Sequence, residues 1–156
     1  LESLVLSSLA YVIIMLIWTA STRSAVVQNA NDIKANHKAV LEFIDNQINE
    51  CSINEEGATS WGDNCNSAWF SSKIVEHILN NIKLNNPYNI DKPLIQTSQD
   101  PRIQAEGKAG QSTDKGIIFV SESNFESEAG SEWVIGTCVK SPCVAAGNNE
   151  LASAYR

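Results

Sequence analysis

The sequence predicts an α+β fold, in which a long N-terminal α-helix packs on a small antiparallel β-sheet head that carries an additional helix. Three observations predict it. The first 49 residues contain neither Pro nor Gly and follow a helical pattern. Two later segments, Gly116–Glu122 and Glu132–Val139, are rich in β-branched and aromatic residues, and a second helical stripe precedes them. A chain of 156 residues has room for one domain with one projecting element.

Charge is distributed unevenly along the chain. The composition is 43% hydrophobic and 19% charged, yet no charged residue occurs from Ser3 to Ala20. The formal net charge is -7 and no run of basic residues occurs. Nucleic-acid binding is therefore not expected, because contacts with phosphates require clustered Lys and Arg. Abundant Asn and Ser suit a solvated outer surface.

The first helix is expected to change character along a length on the order of 70 Å. Its first 18 or so residues are apolar on every side, near the lower limit for a membrane-spanning helix. Beyond them the hydrophobicity is one-sided, so the second half packs on the head and the first half needs lipid or other copies of itself. We divide the chain into an apolar filament-core or transmembrane helix (1–23), the amphipathic half of the same helix (24–49) and a globular head (50–156). The one-sided stripe consists of Val26, Ala30, Ile33, His37, Val40, Leu41, Ile44 and Ile48.

Two other interpretations of the first segment explain less. A secretory signal peptide begins with positive charge and ends in a small-residue cleavage site. This segment begins with Leu1 and Glu2 and continues as a helix without a break. A plain membrane anchor accounts for the length and places Trp18 at a membrane interface. It does not explain Glu2.

Four cysteines, an even number, favour disulfides over free thiols or a metal site. Cys51, Cys65, Cys138 and Cys143 form no C-x-x-C pair, whereas zinc ligands usually come in tight pairs. Disulfides imply an oxidising compartment. Four cysteines allow three pairings. Pairing each cysteine with its nearest neighbour is our prediction, because both bridges then close short loops.

A second helix is expected from about Ser67 to Leu84. Asn66 or Ser67 is the expected N-cap, since either side chain accepts a hydrogen bond from a free backbone N–H. The sequence Asn85-Asn86-Pro87 ends the helix, because Pro cannot continue it. Its apolar stripe consists of Trp69, Phe70, Ile74, Ile78, Leu79 and Ile82.

Two strands, Gly116–Glu122 and Glu132–Val139, are expected to form an antiparallel hairpin. The chain from Pro87 to Asp114 contains several Pro and Gly residues and is expected to be a loop, with a short strand at Leu94–Thr97. The tail after Cys143 has a weak pattern. The predicted core consists of Val40, Leu41, Ile44, Ile48, Phe70, Ile74, Ile78, Ile117, Phe119, Trp133 and Ile135.

Glu2 is the most informative residue of the first helix. A carboxylate in hydrocarbon costs about 2.5–3.5 kcal/mol at mid-membrane on insertion scales, and less near a helix start, where the helix dipole helps. Such a carboxylate is expected to have a partner. One candidate is the N-terminal ammonium of a neighbouring copy, brought alongside when apolar helices bundle. The alternative is a glutamate at the membrane interface, solvated by water.

The segment L-E-S-L-V-L-S-S-L-A-Y-V-I-I-M-L-I-W resembles the N-terminal helix of type IV pilins and their pseudopilin relatives. The resemblance extends over the amphipathic continuation to Asn49, the two-strand hairpin and the paired cysteines near the C-terminus. It implies a subunit that is cut by a prepilin peptidase, held in the inner membrane and driven by an assembly machine into an extracellular filament. It also implies that Glu2 neutralises the amine of a neighbouring subunit, and it likens Cys138–Cys143 to the family's cysteine-bounded region.

The chain departs from the family in two ways. The family's glutamate is the fifth residue of the mature chain and follows a Phe-like first residue, whereas Glu2 follows Leu1 directly. The family's helix often carries a Gly and a Pro that let it bend or melt, and this helix has neither. We therefore expect that the segment between Tyr11 and Val27 is straighter and more fully helical in the assembled filament.

The expected function is that of a structural subunit of a type IV pilus that serves adhesion, motility or DNA uptake, and not that of an enzyme. No G-x-S-x-G or P-loop motif occurs, and His37 and His77 are expected to be structural. The expected partners are identical subunits, and no cofactor or metal is expected. The alternatives are a minor pilin, a secretion-system pseudopilin or a membrane-anchored periplasmic binding module. The residues expected to mediate assembly are Glu2, Leu4, Leu9, Ile13 and Leu16.

Overall fold

A computed structural model describes residues 2–89, 91–106, 115–123 and 132–156, and only the backbone of residues 2–10 and 122–123. It has the predicted α+β fold, with a long N-terminal helix and a small, mostly antiparallel sheet. Along the chain the elements are α1 (Glu2–Ile53), α2 (Ser71–Asn81), β1 (Ile95–Thr97), α3 (Pro101–Glu106), β2 (Ile118–Ser123), β3 (Glu132–Cys138) and β4 (Asn149–Tyr155).

Helix α1 is unbroken over 52 residues, a length of about 78 Å. The absence of Pro and Gly from residues 2–53 explains its continuity, because neither a missing N–H nor a flexible backbone interrupts the ladder of hydrogen bonds. In the single copy the helix is continuous between Tyr11 and Val27. Its form in an assembled filament stays a prediction. The helix ends at Ile53, four residues beyond the predicted end at Asn49.

The sheet has the strand order β1-β2-β3-β4. Strands β2 and β3 form the predicted antiparallel hairpin, with Val120 opposite Ile135. Strand β4 continues the sheet antiparallel to β3, with Ala154 opposite Trp133. Strand β1 pairs with β2 in parallel.

The two faces of the sheet are covered by different helices. Since side chains alternate along a strand, Trp133 and Ile135 of β3 point to one face and Gly136 to the other. Helices α1 and α2 cover the first face and form the main core with it. Helix α3 lies on the second face, where a Cβ on Gly136 would clash with the carbonyl oxygen of Pro101. The fully buried large side chains are Trp69, Trp133, Ile33, Ile44, Ile74, Ile78, Ile95, Ile117, Ile118, Ile135, Val40 and Val120.

The predicted boundaries of the second helix were wrong. Helix α2 begins at Ser71 rather than Ser67 and ends at Asn81 rather than Leu84. Neither Asn66 nor Ser67 caps it. Phe70 occupies the N-cap position in an extended conformation and makes no side-chain capping hydrogen bond.

Phe70 was also wrongly assigned to the core, because its ring is 55% exposed while the preceding Trp69 is fully buried. Phe70 is extended and lies outside the helix, so the helical stripe on which the assignment rested does not apply to it. Leu79, another member of that stripe, is 49% exposed. Of the other predicted core residues, Leu41 is half-buried and the rest are buried.

Candidate assembly surface

The first part of α1 whose side chains are described presents large apolar side chains on every side. We call residues 11–28 the apolar rod, since all of them are exposed. Because consecutive helical residues are turned by about 100°, the eight large apolar residues in a row from Tyr11 to Trp18 cover all faces of the helix. Their exposed fractions run from 45% for Met15 to 67% for Trp18. By length and composition, α1 can cross a membrane, and none of its most apolar window is buried.

Threonines within the apolar rod direct their hydroxyl groups back to the helix. The Thr19 Oγ1 donates to the carbonyl oxygen of Leu16 at 3.0 Å. The Thr22 Oγ1 lies 3.1 Å from the carbonyl oxygens of both Trp18 and Thr19. Hydroxyls bonded in this way need no external partner, so the surface that these residues present is largely that of their methyl groups.

The predicted assembly residues divide into two groups. Ile13 and Leu16 lie in the apolar rod and are 48% and 64% exposed. Glu2, Leu4 and Leu9 belong to the helical backbone, but their side chains lie outside the described part of the chain. These five residues are therefore placed along one helix, and their role in assembly stays a prediction.

The apolar rod ends where two asparagines bind the head. The Asn29 Nδ2 donates to the carbonyl oxygen of Pro87 at 3.5 Å, and the Asn36 Nδ2 donates to that of Asn85 at 3.2 Å. Sequence reasoning missed these contacts. The signal was available, because Asn29 and Asn36 are seven residues apart and so share one face of the helix.

From Ile33 onward α1 has the predicted buried stripe, but Val26, which was predicted to begin it, is 41% exposed because it precedes the part of the helix that packs on the head. His37 belongs to this stripe, and its Nδ1 is hydrogen-bonded to Thr137 Oγ1 of β3 at 2.9 Å. Burial lowers the pKa of the His37 imidazole from its usual 6.5, and the Glu150 carboxylate opposes part of that shift. Glu150 in turn pairs with Lys34 of α1 at 2.7 Å. These contacts tie α1 to β3 and β4.

Two disulfides lie in the head, with the pairing predicted from loop length. Cys51 in the last turns of α1 bonds to Cys65, and Cys138 at the end of β3 bonds to Cys143. The loop closed by the first bridge is also held to α1, since Gln47 Oε1 accepts hydrogen bonds from the N–H and hydroxyl of Ser60. The end of the long helix is thereby fastened covalently and by hydrogen bonds to the head.

Aromatic rings connect α1 to the sheet within the head. Trp61 contacts Phe43 of α1 with ring centroids 6.0 Å apart and Trp69 with centroids 5.1 Å apart. Trp69 contacts Trp133 of β3 at 6.1 Å. The guanidinium of Arg156 lies 4.3 Å from the centroid of the Trp69 ring. This cluster and the Cys51–Cys65 disulfide join α1, the loop after it and the sheet within the head.

The described side chains of the head form no cluster suited to a metal ion, and its cysteines are not free thiols. Among the described side chains, no group of three His, Cys, Asp or Glu residues is placed to hold a metal ion. All four cysteines are in disulfides. His77 stacks on Phe43 with centroids 5.6 Å apart, and His37 is buried, so each imidazole has a packing role.

No protein-family model, curated protein or solved structure matches this chain. The likeness to pilins is therefore one of architecture. A long N-terminal apolar helix, a small sheet and a disulfide-bonded C-terminal region are compatible with a pilin-like fold. The apolar helix and the disulfides are likewise compatible with a membrane-associated or extracellular protein.

Proposed function

We propose that this chain is a structural subunit of an extracellular, type IV pilin-like filament, in which the apolar rods of neighbouring copies pack together and the heads lie outside. The observation that carries the proposal is the exposed apolar rod, which continues without a break into a helix fastened to a rigid head. The expected role is adhesion, motility or DNA uptake.

The exposed rod is too costly to leave in water. Burying one large apolar side chain contributes about 1.5–3 kcal/mol, so the eight between Tyr11 and Trp18 represent on the order of 10 kcal/mol. In lipid that driving force is absent, because lipid tails are as apolar as the helix. Once the rod leaves the membrane, only other apolar surfaces can shelter it, and identical rods supply such surfaces.

The cellular setting of the proposal follows from the disulfides and from the resemblance. Two disulfides indicate that the head lies in an oxidising compartment. By resemblance, the subunit waits in the inner membrane after a prepilin peptidase has cut it, and an assembly machine then extracts it. We propose no catalytic activity, cofactor or nucleic-acid partner, and minor pilin and secretion-system pseudopilin are variants of the same proposal.

A second candidate is a membrane-anchored periplasmic binding module with no role in assembly. It is favoured by the same apolar helix, which is long enough to span a membrane. Glu2 separates the two candidates. An anchor gains nothing from a carboxylate in the helix, whereas a filament uses it to fix the register between subunits.

The test is the variant Glu2→Gln in cells that produce this chain, with Glu55→Gln on the exposed part of the head as its control. We expect wild type and Glu55→Gln to form surface fibres composed of this chain, visible by electron microscopy and identified by mass spectrometry after shearing. Glu2→Gln should remain in the membrane fraction and form none. Abundant membrane-held protein without fibres in the wild type would favour the anchored module instead.

A further inference from the structure

Two isolated charges bracket the uncharged part of α1. Glu2 and Arg23 are the only charged residues among the first 31, and the 20 residues between them carry no charge. Both lie on one unbroken helix. Since they are 21 residues apart, about 31 Å of helix separates them, and they cannot reach each other within one copy.

Arg23 differs from the basic residues that follow it on α1. Lys34 pairs with Glu150 at 2.7 Å, and Lys38 pairs with Glu42 at 3.4 Å, so both are neutralised within their own copy. Arg23 is exposed, and within the described part of the chain it has neither an ion pair nor a hydrogen bond from its side chain. Thr19 and Thr22 bond to their own helix. Within the described part of the chain, Arg23 is thus a charged group at this end of the rod that has no partner in its own copy.

Packing the rods together would remove Arg23 from water on at least one side. A guanidinium placed in such a setting without a counter-charge is strongly disfavoured, and a carboxylate that forms two parallel hydrogen bonds suits it best. Helix axes in contact lie about 8–10 Å apart, a gap that the side chains of one Arg and one Glu can bridge. Glu2 is the only carboxylate on this part of the helix.

We propose that Arg23 of one copy pairs with Glu2 of a neighbouring copy, and that this pair sets an axial stagger of about 31 Å between the two copies. The inference rests on the proposed filament and specifies its register. It gives Glu2 a partner in the side chain of Arg23, where the resemblance to pilins implies an amine. Copies staggered by this distance repeat the same pair along the filament. Because the 18-residue rod is only about 27 Å long, copies at intermediate heights supply the side-by-side packing of the rods.

A charge exchange tests the pairing. Arg23→Glu and Glu2→Arg are each expected to lower fibre yield at least about tenfold, because each places two like charges together. The double variant, Glu2→Arg with Arg23→Glu, is expected to restore fibres. Lys83→Glu, at an exposed position of the head, makes the same change in charge as Arg23→Glu and should leave the yield unchanged. Immunoblots of the membrane fraction serve as the control, and every variant is expected to be inserted in equal amount.

Helical reconstruction of wild-type fibres provides an independent test. We expect some whole-number multiple of the helical rise to equal about 31 Å, with the Arg23 guanidinium within about 4 Å of a Glu2 carboxylate from another copy. A map in which Arg23 faces solvent or another acid overturns the pairing, whatever the variants do. Normal fibre yield from Arg23→Glu overturns it as well while leaving the proposed filament intact. A wild type that forms no fibres overturns both.

Discussion

The two halves of α1 share one backbone conformation and differ in what surrounds them. Residues 11–28 are exposed on every side, whereas from Ile33 onward one stripe is buried against the sheet. Within a single copy, the apolar stripe of the second half is buried, whereas the apolar side chains of the first half stay exposed. Helix formation and burial are therefore separate properties, since α1 is helical along its whole length while the apolar rod is not buried within one copy.

The difference is visible in how each half handles polar groups. In the apolar rod, Thr19 and Thr22 bond back to the helix itself. In the packed half, Asn36, His37 and Lys34 bond to the head. Substitutions in the packed half should therefore change the stability of one copy, while substitutions in the rod should change assembly.

Matched tryptophan substitutions are expected to show the largest contrast. Trp133→Ala empties a fully buried site and should lower the free energy of unfolding of the head by about 3–5 kcal/mol. Trp18→Ala, at a residue that is 67% exposed, should change it by no more than about 0.5 kcal/mol. Urea denaturation of the full chain in mild detergent, followed by near-ultraviolet circular dichroism, measures both.

Trp18→Ala is expected to affect the assembly of fibres, not the stability of the head. Trp18→Ala should reduce the yield of fibres although the head is as stable as in the wild type. If Trp18→Ala destabilises the head as much as Trp133→Ala does, the division of α1 into an exposed and a packed half is wrong.

Removing each disulfide separately should lower the free energy of unfolding of the head by different amounts. Cys51 and Cys65 are 14 residues apart, and replacing both by Ala should lower the free energy of unfolding by about 3 kcal/mol through loop entropy. Cys138 and Cys143 are five apart, and the same replacement should cost about 2 kcal/mol. Urea midpoints of the two double variants measure the difference. A larger loss from the shorter loop would contradict this order.

Sequence patterns predicted the long helix and the β2–β3 hairpin because each is strongly periodic or rich in β-branched residues. Strand β4 was missed. Its sequence, NELASAY, has no β-branched residue, and it is a strand because it pairs with β3 along its whole length. Pairing of this kind depends on tertiary structure, which a propensity scale does not contain.

Helix α3 was missed for a different reason, since a signal for it was present. Asp100 Oδ1 accepts hydrogen bonds from the N–H groups of Arg102 and Ile103, so Asp100 is an N-cap. Pro101 follows at the first helical position, which Pro favours. The several Pro and Gly residues between Pro87 and Asp114 predict a loop there, but the Asp100-Pro101 start is also compatible with a short helix. The proposed contact of Glu2 with another copy involves a second molecule, so the sequence of one chain does not specify its geometry.

A substitution at Gly136 tests how α3 packs on the second face of the sheet. Gly136→Ala should lower the free energy of unfolding by about 1–3 kcal/mol, because the new methyl group would meet the backbone carbonyl of Pro101 and displace α3. Gly57→Ala is the control. Its Cβ would come closest to the side chain of Asn54, which can move, so a smaller cost is expected. Equal urea midpoints for the two variants would show that α3 does not pack as described.

The smallest expected effect is a pH dependence at the boundary between α1 and the sheet. Burial lowers the pKa of His37 in the folded chain, so the unfolded chain binds a proton first as the pH falls. Stability contributed by the neutral imidazole is thus complete above about pH 6.5 and declines below it, with a slope of at most about 1.4 kcal/mol per pH unit. Urea midpoints between about pH 7.5 and pH 5 measure the decline.

The variant His37→Gln should remove this decline, whereas His77→Gln, at the other histidine of the chain, should keep it. Glu132 affects the stability of the head in a different, more acidic pH range. Hydrogen bonds from Ser153 and the charge of Arg102 help to lower the pKa of its carboxyl from 4.5, so its contribution is lost only at more acidic pH. A decline below pH 6.5 that persists in His37→Gln would mean that another group controls the docking of α1. The apolar rod carries no histidine, so the packing of rods against one another should show no decline in this pH range. The two halves of one helix would then respond differently to the same change of pH.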